Sequence, residues 1–304
     1  MEKLNKEESI SVEKMKKLNK RENTITKLGT LGGMTFWNVF LFILPLIYLV
    51  VLSFSQRKGF GIIDYSFTIE NYAAIFSPTY INVFIDSLKM AFIVTILASL
   101  LAYPYAYFVS RKDVKKQSLL ILLVMIPSWT NSLLRVFALQ SLMSTNGIIN
   151  SILYKLHIIS APIQMLSTDF AVYFGMIFVT LPFMILPLYA NMQKIDSSLL
   201  EAGRDLGASG FQLFWEVIFP ISLPGLASGI IMVFLPSMAN FFITDLLGGG
   251  KSINLGNVVQ NQFTTSNNWP LGAAVSILLM VICCIVIMYC DKFAAAKAHG
   301  KAGK

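Results

Sequence analysis

The amino-acid sequence predicts an all-α membrane protein with six transmembrane helices. Three observations carry that expectation. Apolar residues make up 55% of the chain and charged residues only 13%, whereas soluble domains carry about a quarter charged. Mean hydropathy is +0.66. Apolar runs near the ~20 residues that cross a bilayer as a helix recur along the chain between polar stretches.

The elements follow in order. Residues 1–33 form a polar, Lys-rich tail. Its basic stretch is longer than the short basic region of a signal peptide. The first apolar run, Met34–Phe54, is therefore expected to be a retained span. The tail reads equally as an amphipathic surface helix or as a disordered arm. Further spans are expected at Val83–Val109, Ser118–Leu142, Phe170–Asn191, Gly225–Leu247 and Leu271–Tyr289. The chain thus divides into the tail 1–33, a six-helix domain 34–290 with a polar loop at 192–224, and a C-terminal tail 291–304.

Six spans place both termini on one side, and charge identifies that side. Most of the 24 Lys and Arg residues fall in the tails, in Ser110–Gln117 and in the 192–224 loop. The opposite loops hold Arg57, Lys58, Lys155 and Lys251. Basic residues collect on the cytoplasmic side, so both termini and the 192–224 loop are expected in the cytoplasm. The basic pI near 9.3 follows from the same bias and implies no nucleic-acid partner; the lipid bilayer is the expected surrounding. The outer loops, with Asp64, Glu70, Asp86, Asp169 and Asp245, are close to neutral or slightly acidic, which suits a cationic solute.

Prolines fall within the runs at Pro45, Pro104, Pro127, Pro182, Pro187 and Pro236. Each removes a backbone donor, and such breaks persist in a membrane where neighbours or a wet cavity satisfy the freed carbonyl. Two interrupted spans also carry polar side chains. The third has Pro127, Ser128, Trp129, Thr130, Asn131 and Ser132, then Arg135; the fifth has Pro236, Ser237, Asn240, Thr244 and Asp245. Polar groups at such depth face protein or water. These segments either line a solute pathway, with Arg135 and Asp245 at matching height as an ion pair, or hydrogen-bond helix to helix. Gly225 and Gly229 form a GxxxG spacing that lets helices approach closely.

Several chemistries find no support. Cys283, Cys284 and Cys290 share one apolar run and His157 and His299 are the only histidines, so neither a disulfide framework nor a metal site is expected. Leu246–Ser252 resembles a phosphate loop, but Asp245 stands where GxxxxGKS needs glycine. No paired acids or nucleophile motif suggest an enzyme, and no cofactor is expected. If ATP drives this protein, another subunit hydrolyses it.

The stretch Asp196–Pro224 is charged yet rich in Leu, Phe, Trp and Ile. Ser198-Leu-Leu-Glu201 fits a capping box that starts a helix, and Gly207 suits its end. A second short helix is expected over Phe211–Ile218, ended by Pro220 and Pro224. Glu201-Ala202-Gly203, then Gly207, then Val217-x-Phe219-Pro220 resembles the EAA loop of ABC importer permeases, written EAA-x3-G-x9-I-x-L-P. Gly203 replaces the second alanine, Val217 the isoleucine and Phe219 the leucine. Segments 127–150, 181–209 and 246–263 are similar to spermidine/putrescine permeases, nearest their B-type subunits, and the similarity covers roughly residues 35–290.

The resemblance implies a type I ABC importer permease fold in a bacterial inner (plasma) membrane. It implies a second permease subunit in a heterodimer, a dimer of ATP-binding ABC ATPase subunits, and an extracellular substrate-binding protein. Glu201, Ala202, Asp205 and Gly207 would couple the chain to the ATPase. For a flexible polycation, carboxylates and aromatic faces are the fitting wall, which singles out Trp129, Phe137, Phe241, Phe242 and Asp245; Asn131 and Asn240 join the expected pathway as polar side chains of the same two segments. Sulfate, molybdate and ferric-iron permeases share the EAA loop, so the same architecture could serve an inorganic anion or ferric iron. A secondary transporter without ATPase would need intramembrane carboxylates and an inverted repeat, which the sequence does not display.

Overall fold

A computed structural model of the chain describes residue 32 and residues 35–299, with side chains described as far as Cys290 and at Lys292. The Lys-rich tail lies outside the described residues. The first helix, α1 (Thr35–Ser53), contains a π-turn at Val39–Ile43 just ahead of Pro45. The wider turn makes room for the proline ring without ending the helix. A two-stranded hairpin follows, β1 (Gln56–Arg57) paired antiparallel with β2 (Ile63–Asp64). Next come α2 (Glu70–Ile75) and the long α3 (Pro78–Ser110), which continues through Pro104.

The third crossing is assembled from pieces. It comprises α4 (Val114–Met125), a 3-10 turn at Ile126–Trp129 and α5 (Ser132–Met143), and α6 (Ile148–Lys155) follows. A single helix over Ser118–Leu142 was the expectation; the apolar stretch long enough to cross is instead Ser132–Lys155. Pro127 loosens the helix, because it has no N–H to give the carbonyl four residues back; Ile126 before it stays helical at φ −51 and ψ −50. Thr130 is extended, and Asn131 then caps α5 by accepting the Leu133 N–H at 2.8 Å.

Helix α7 (Asp169–Met192) runs unbroken through Pro182 and Pro187. Beyond it lie α8 (Ser197–Asp205) and α9 (Gly210–Ala239). The expected stop at Pro220 and Pro224 does not occur. A π-turn at Phe214–Ile218, in which the Phe219 N–H reaches the Phe214 carbonyl, admits Pro220, and the helix continues. Nor does the span reach Leu247: Asn240, at ψ 81, ends α9, and α10 (Phe241–Gly248) starts in a new direction. α11 (Leu255–Thr264) and α12 (Trp269–His299) complete the chain. Because α12 runs through residue 290, no break in secondary structure sets off a C-terminal tail there.

Among the described residues, six helices or helix pairs are long and apolar enough to cross a membrane. α7 lies at their centre. Ala98, Ala102 and Ala106 form a small-residue stripe on α3, and all three are fully buried in the cluster that includes Met176, Val179 and Leu188 of α7. Small residues let helix backbones close on one another where lipid supplies no hydrophobic drive. Gly225 and Gly229 do the same for α9: a methyl at Gly225 would lie 2.6 Å from the Pro187 carbonyl oxygen, and one at Gly229 would meet Met184. The GxxxG is thus a packing device. A second cluster joins Phe234 and Met238 of α9 to Leu271, Ala274 and Val275 of α12. The ends of α3 and α7 lie together, Arg111 reaching the Ile195 carbonyl, and α9 departs from there, so the 111–117 turn and α8 share one end of the bundle. The hairpin, α10 and α11 lie at the other.

Candidate functional site

At the first end, α8 and the start of α9 form a helical corner. The expected capping box at Ser198 and Glu201 is not the one used. Asp196 is the cap, its carboxylate accepting the Ser198 N–H at 3.0 Å. A box does form thirteen residues later in the chain, at Ser209. There the Ser209 hydroxyl accepts the Gln212 backbone N–H, and the Gln212 side-chain oxygen accepts the Ser209 N–H. Asp196 wins because Ile195, just before it, is buried in the core and sets where the chain turns. Gly207 ends α8 as expected, at φ +82. Its N–H donates to the Arg204 carbonyl at 2.8 Å, and the Ala208 N–H donates to the Gly203 carbonyl at 3.0 Å. This is a Schellman closure, which needs a left-handed residue at that point.

The Ser198 N–H holds the Asp196 carboxyl below its ordinary range. A lowered pKa means the cap stabilises α8 fully above the unfolded carboxyl pKa and is lost as pH falls through the lowered value. Asp196→Ala is expected to fray the first turn of α8, and Asp196→Asn to preserve it, since asparagine caps equally well. Amide exchange of residues 198–200 in the two variants reads the difference; equal protection would rule out the cap.

α8 presents two faces. Leu200 is 7% exposed and joins the core with Met192, Ile195 and Ile218. Gly203 lies against Leu213, whose Cδ2 occupies the space a Gly203 methyl would need. Leu213 therefore fills the volume that the second alanine of the EAA pattern would take. The other face is open. Leu199, Ala202 and Leu206 are exposed at helical spacing, beside Glu201 and Asp205, and Leu206 is 89% exposed. Phe211 and Trp215 continue the apolar patch, their rings edge to face at 6.1 Å. Glu201 makes no hydrogen bond or ion pair among the described residues, so no contact within the described chain engages its carboxylate.

At the opposite end, the break at Asn240 organises a polar joint. The Asn254 side-chain amide donates to the Asn240 carbonyl at 3.2 Å. Asn254 and Asn257 form a reciprocal capping box at the start of α11. Asn257 also accepts from the Thr244 hydroxyl at 2.7 Å, and its amide donates to the Asp245 carboxylate at 2.6 Å. Asp245 then opens into a cavity of about 340 Å³ lined by Tyr80, Asn257, Gln260, Asn261 and Gln262. A larger apolar groove of about 480 Å³ lies between α3 and α9, at Tyr103, Phe214 and Phe219. It carries no carboxylate, so the polar cavity is the better match for a cation.

The structure brings Asn240, Phe241 and Asp245 together at this joint. Trp129, Asn131 and Phe137 sit apart, around the 3-10 break and on α5. Among the described residues, no hydrogen bond or ring contact links them to Asn240, Phe241 or Asp245. The expected ion pair between Arg135 and Asp245 is also absent among the described residues. The Gln140 amide donates to the Leu246 carbonyl at 2.9 Å and sets the register of α5 on α10. Arg135 is five residues away, about 7.5 Å along the helix. Asn254 is a favoured cap residue, but Asn257 stands where the capping-box signature has Glu or Gln, so the sequence alone does not announce the box.

The chain matches the family described as "binding-protein-dependent transport system inner membrane component" over residues 35–294. It is 43% identical over 251 residues to the spermidine/putrescine transport system permease protein PotB of Haemophilus influenzae, covering 83% of this chain and 88% of that protein. With PotB of Escherichia coli it shares 39% identity over 252 residues, covering 83% and 92%. Among solved structures, a bacterial alginate ABC transporter bound to its periplasmic protein superposes with a TM-score of 0.73 at 15% identity, covering 90% of this chain and 95% of that one. The MetNI methionine ABC transporter, inward facing, gives 0.53 at 16% identity, covering 73% and 99%. At such identities the structural likenesses speak for the fold alone.

Proposed function

The chain belongs to the binding-protein-dependent transport system inner membrane components, and from that membership we propose that it is one transmembrane half of an ATP-driven polyamine importer. Its fold is that of the type I ABC importer permeases. The observation that carries the coupling role is the open face of α8. An apolar stripe at Leu199, Ala202 and Leu206 with an unengaged Glu201 is a surface that gains by docking against a protein groove. A separate ATPase dimer is the partner. It grips α8 from the cytoplasm, and Gly207 is the hinge about which the corner tilts. Both termini share that side, on the basic-residue bias. A second permease subunit completes the pathway, and an external binding protein delivers the solute to the end that carries α10 and α11.

The spermidine/putrescine permeases named above support the solute class. The chemistry at Asp245 fits it: a carboxylate flanked by amide oxygens and Tyr80 can receive the three N–H donors of an alkylammonium. The test is uptake of labelled spermidine by the complex assembled with its ATPase, second permease and binding protein. Spermidine uptake is expected and sulfate uptake is not; the reverse result removes the polyamine reading. Asp245→Asn is expected to cut uptake about tenfold, the cost of losing a charge-assisted hydrogen bond. Asparagine still accepts from Asn257, so the amount of folded protein should hold. Unchanged uptake would take Asp245 out of the pathway.

A further inference from the structure

We propose that Gln117 is a positioning residue for transport, clasping the turn between α3 and α4 to the end of α7 so that α4 follows the movement of α8. The proposal rests on the coupling role given to α8 above. Gln117 lies in the first turn of α4 and is 7% exposed. Its side-chain nitrogen donates to the Lys112 carbonyl at 2.7 Å and the Ser110 carbonyl at 3.2 Å. Its side-chain oxygen accepts from the Tyr189 hydroxyl at 2.9 Å and from the Gln193 amide at 3.2 Å. Both N–H groups and both lone pairs are therefore used. A buried amide saturated in this way holds its neighbours firmly, because each broken bond leaves a polar group unpaired.

Tyr189 and Gln193 stand one turn apart at the end of α7, just before α8 departs. Arg111 grips the same joint. Its guanidinium donates to the Ile195 carbonyl at 3.1 Å and lies over the Tyr107 ring at 5.4 Å. Ile195 directly precedes Asp196, the cap of α8. Movement of α8 therefore acts first on residues held by Arg111 and Gln117.

The clasp matters because α4 is otherwise only partly seated: Ile121 and Val124 pack half-buried against the main core. Gln117 is the one buried residue of Val114–Met125; the apolar side chains of α4 are half-buried or exposed. A hydrogen bond from the Tyr105 hydroxyl to the Leu120 carbonyl at 2.9 Å straps α4 to α3 further along. α4 then ends in the 3-10 turn at Ile126–Trp129. That turn is where a rod driven from Gln117 would flex, beside Trp129 and Asn131.

Two variants test this in the complete complex. Gln117→Leu keeps the volume and removes every bond of the amide; Tyr189→Phe removes one hydroxyl. ATP hydrolysed per spermidine imported and ATPase retained on purification are measured for each. Retained ATPase should be unchanged. ATP per spermidine should rise about fivefold or more for Gln117→Leu, the scale of a coupling between sites, and less for Tyr189→Phe. The double variant should be no worse than Gln117→Leu, because Tyr189 then has no partner to lose. An unchanged ratio in both single variants overturns the proposal, as does an unchanged ratio in Tyr189→Phe when Gln117→Leu fails to assemble. A wild-type complex that retains no ATPase instead sinks the coupling reading and this proposal with it.

Discussion

Leu206→Lys is expected to abolish transport while leaving the protein folded. Leu206 closes α8 with 89% of its surface exposed, so the fold gains almost nothing from its side chain. A lysine at the end of a helix is favourable to the helix dipole, which keeps α8 at least as stable as in the wild type. At a docking interface the same change is severe. It removes the apolar contact and places a charge where water is excluded, and the truncation of a central contact residue costs about 2 kcal/mol or more, roughly 30-fold in affinity. Co-purified ATPase should fall by that order, and uptake with it, at unchanged membrane abundance. The matching control is Leu200→Lys. Leu200 lies six residues earlier and is 7% exposed, so a charge there has to enter the core and the folded protein itself should be lost. If Leu206→Lys binds ATPase normally, the open face of α8 is not the docking surface. Glu201→Ala complements the pair: its carboxylate has no partner among the described residues and caps nothing, so any loss of transport there reports a contact outside the chain.

The bundle and α8 were legible in the sequence for one reason: both depend on local signals. Apolar runs declare spans by length, and Gly207 declares a left-handed helix end whatever surrounds it. The breaks were less legible. Pro220 reads as a stop, yet a π-turn at Phe214–Ile218 absorbs it. Asn240 reads as a mid-helix polar residue, yet the chain turns there because Asn254, fourteen residues on, satisfies its carbonyl. Ser198 has the right spacing for a cap, but Ile195 is anchored in the core and the turn falls at Asp196. Gln117 belongs to a stretch of lysines and would pass for a solvated surface residue; its burial follows from Tyr189 and Gln193, more than seventy residues away. Asp245 was found by its charge. Its real partner, Asn257, comes from α11 rather than from Arg135. For Asn240, Gln117 and Asp245 the missing information was which distant group each one meets.

The polar joint around Asn240 yields the largest expected effect on the fold. Gly256 sits in the first turn of α11, buried against the last residue of α9. A methyl there would overlap the carbonyl of Ala239 and come within 3.1 Å of its Cα. Backbone cannot swing aside as a side chain can, so α11 has to lift away. Overpacking of this kind costs about 1–3 kcal/mol. Lifting α11 also strains the bonds that converge on it: Leu255 N–H to the Ser87 hydroxyl at 2.9 Å, Thr244 to Asn257, and Asn254 to the Asn240 carbonyl. Each buried polar group left unpaired adds about 1–3 kcal/mol, so Gly256→Ala should cost more than about 4 kcal/mol, at the severe end for one methyl. The expected result is little folded protein in the membrane, with any remainder melting at markedly lower temperature. Gly203→Ala gives the contrast. The methyl there meets only Leu213 Cδ2, the end of a flexible side chain, and the change restores the alanine of the EAA pattern, so a loss under about 1.5 kcal/mol is expected. Thermal melts of the two variants in detergent decide the matter, since equal destabilisation would mean that contact with backbone rather than side chain is not what sets the cost.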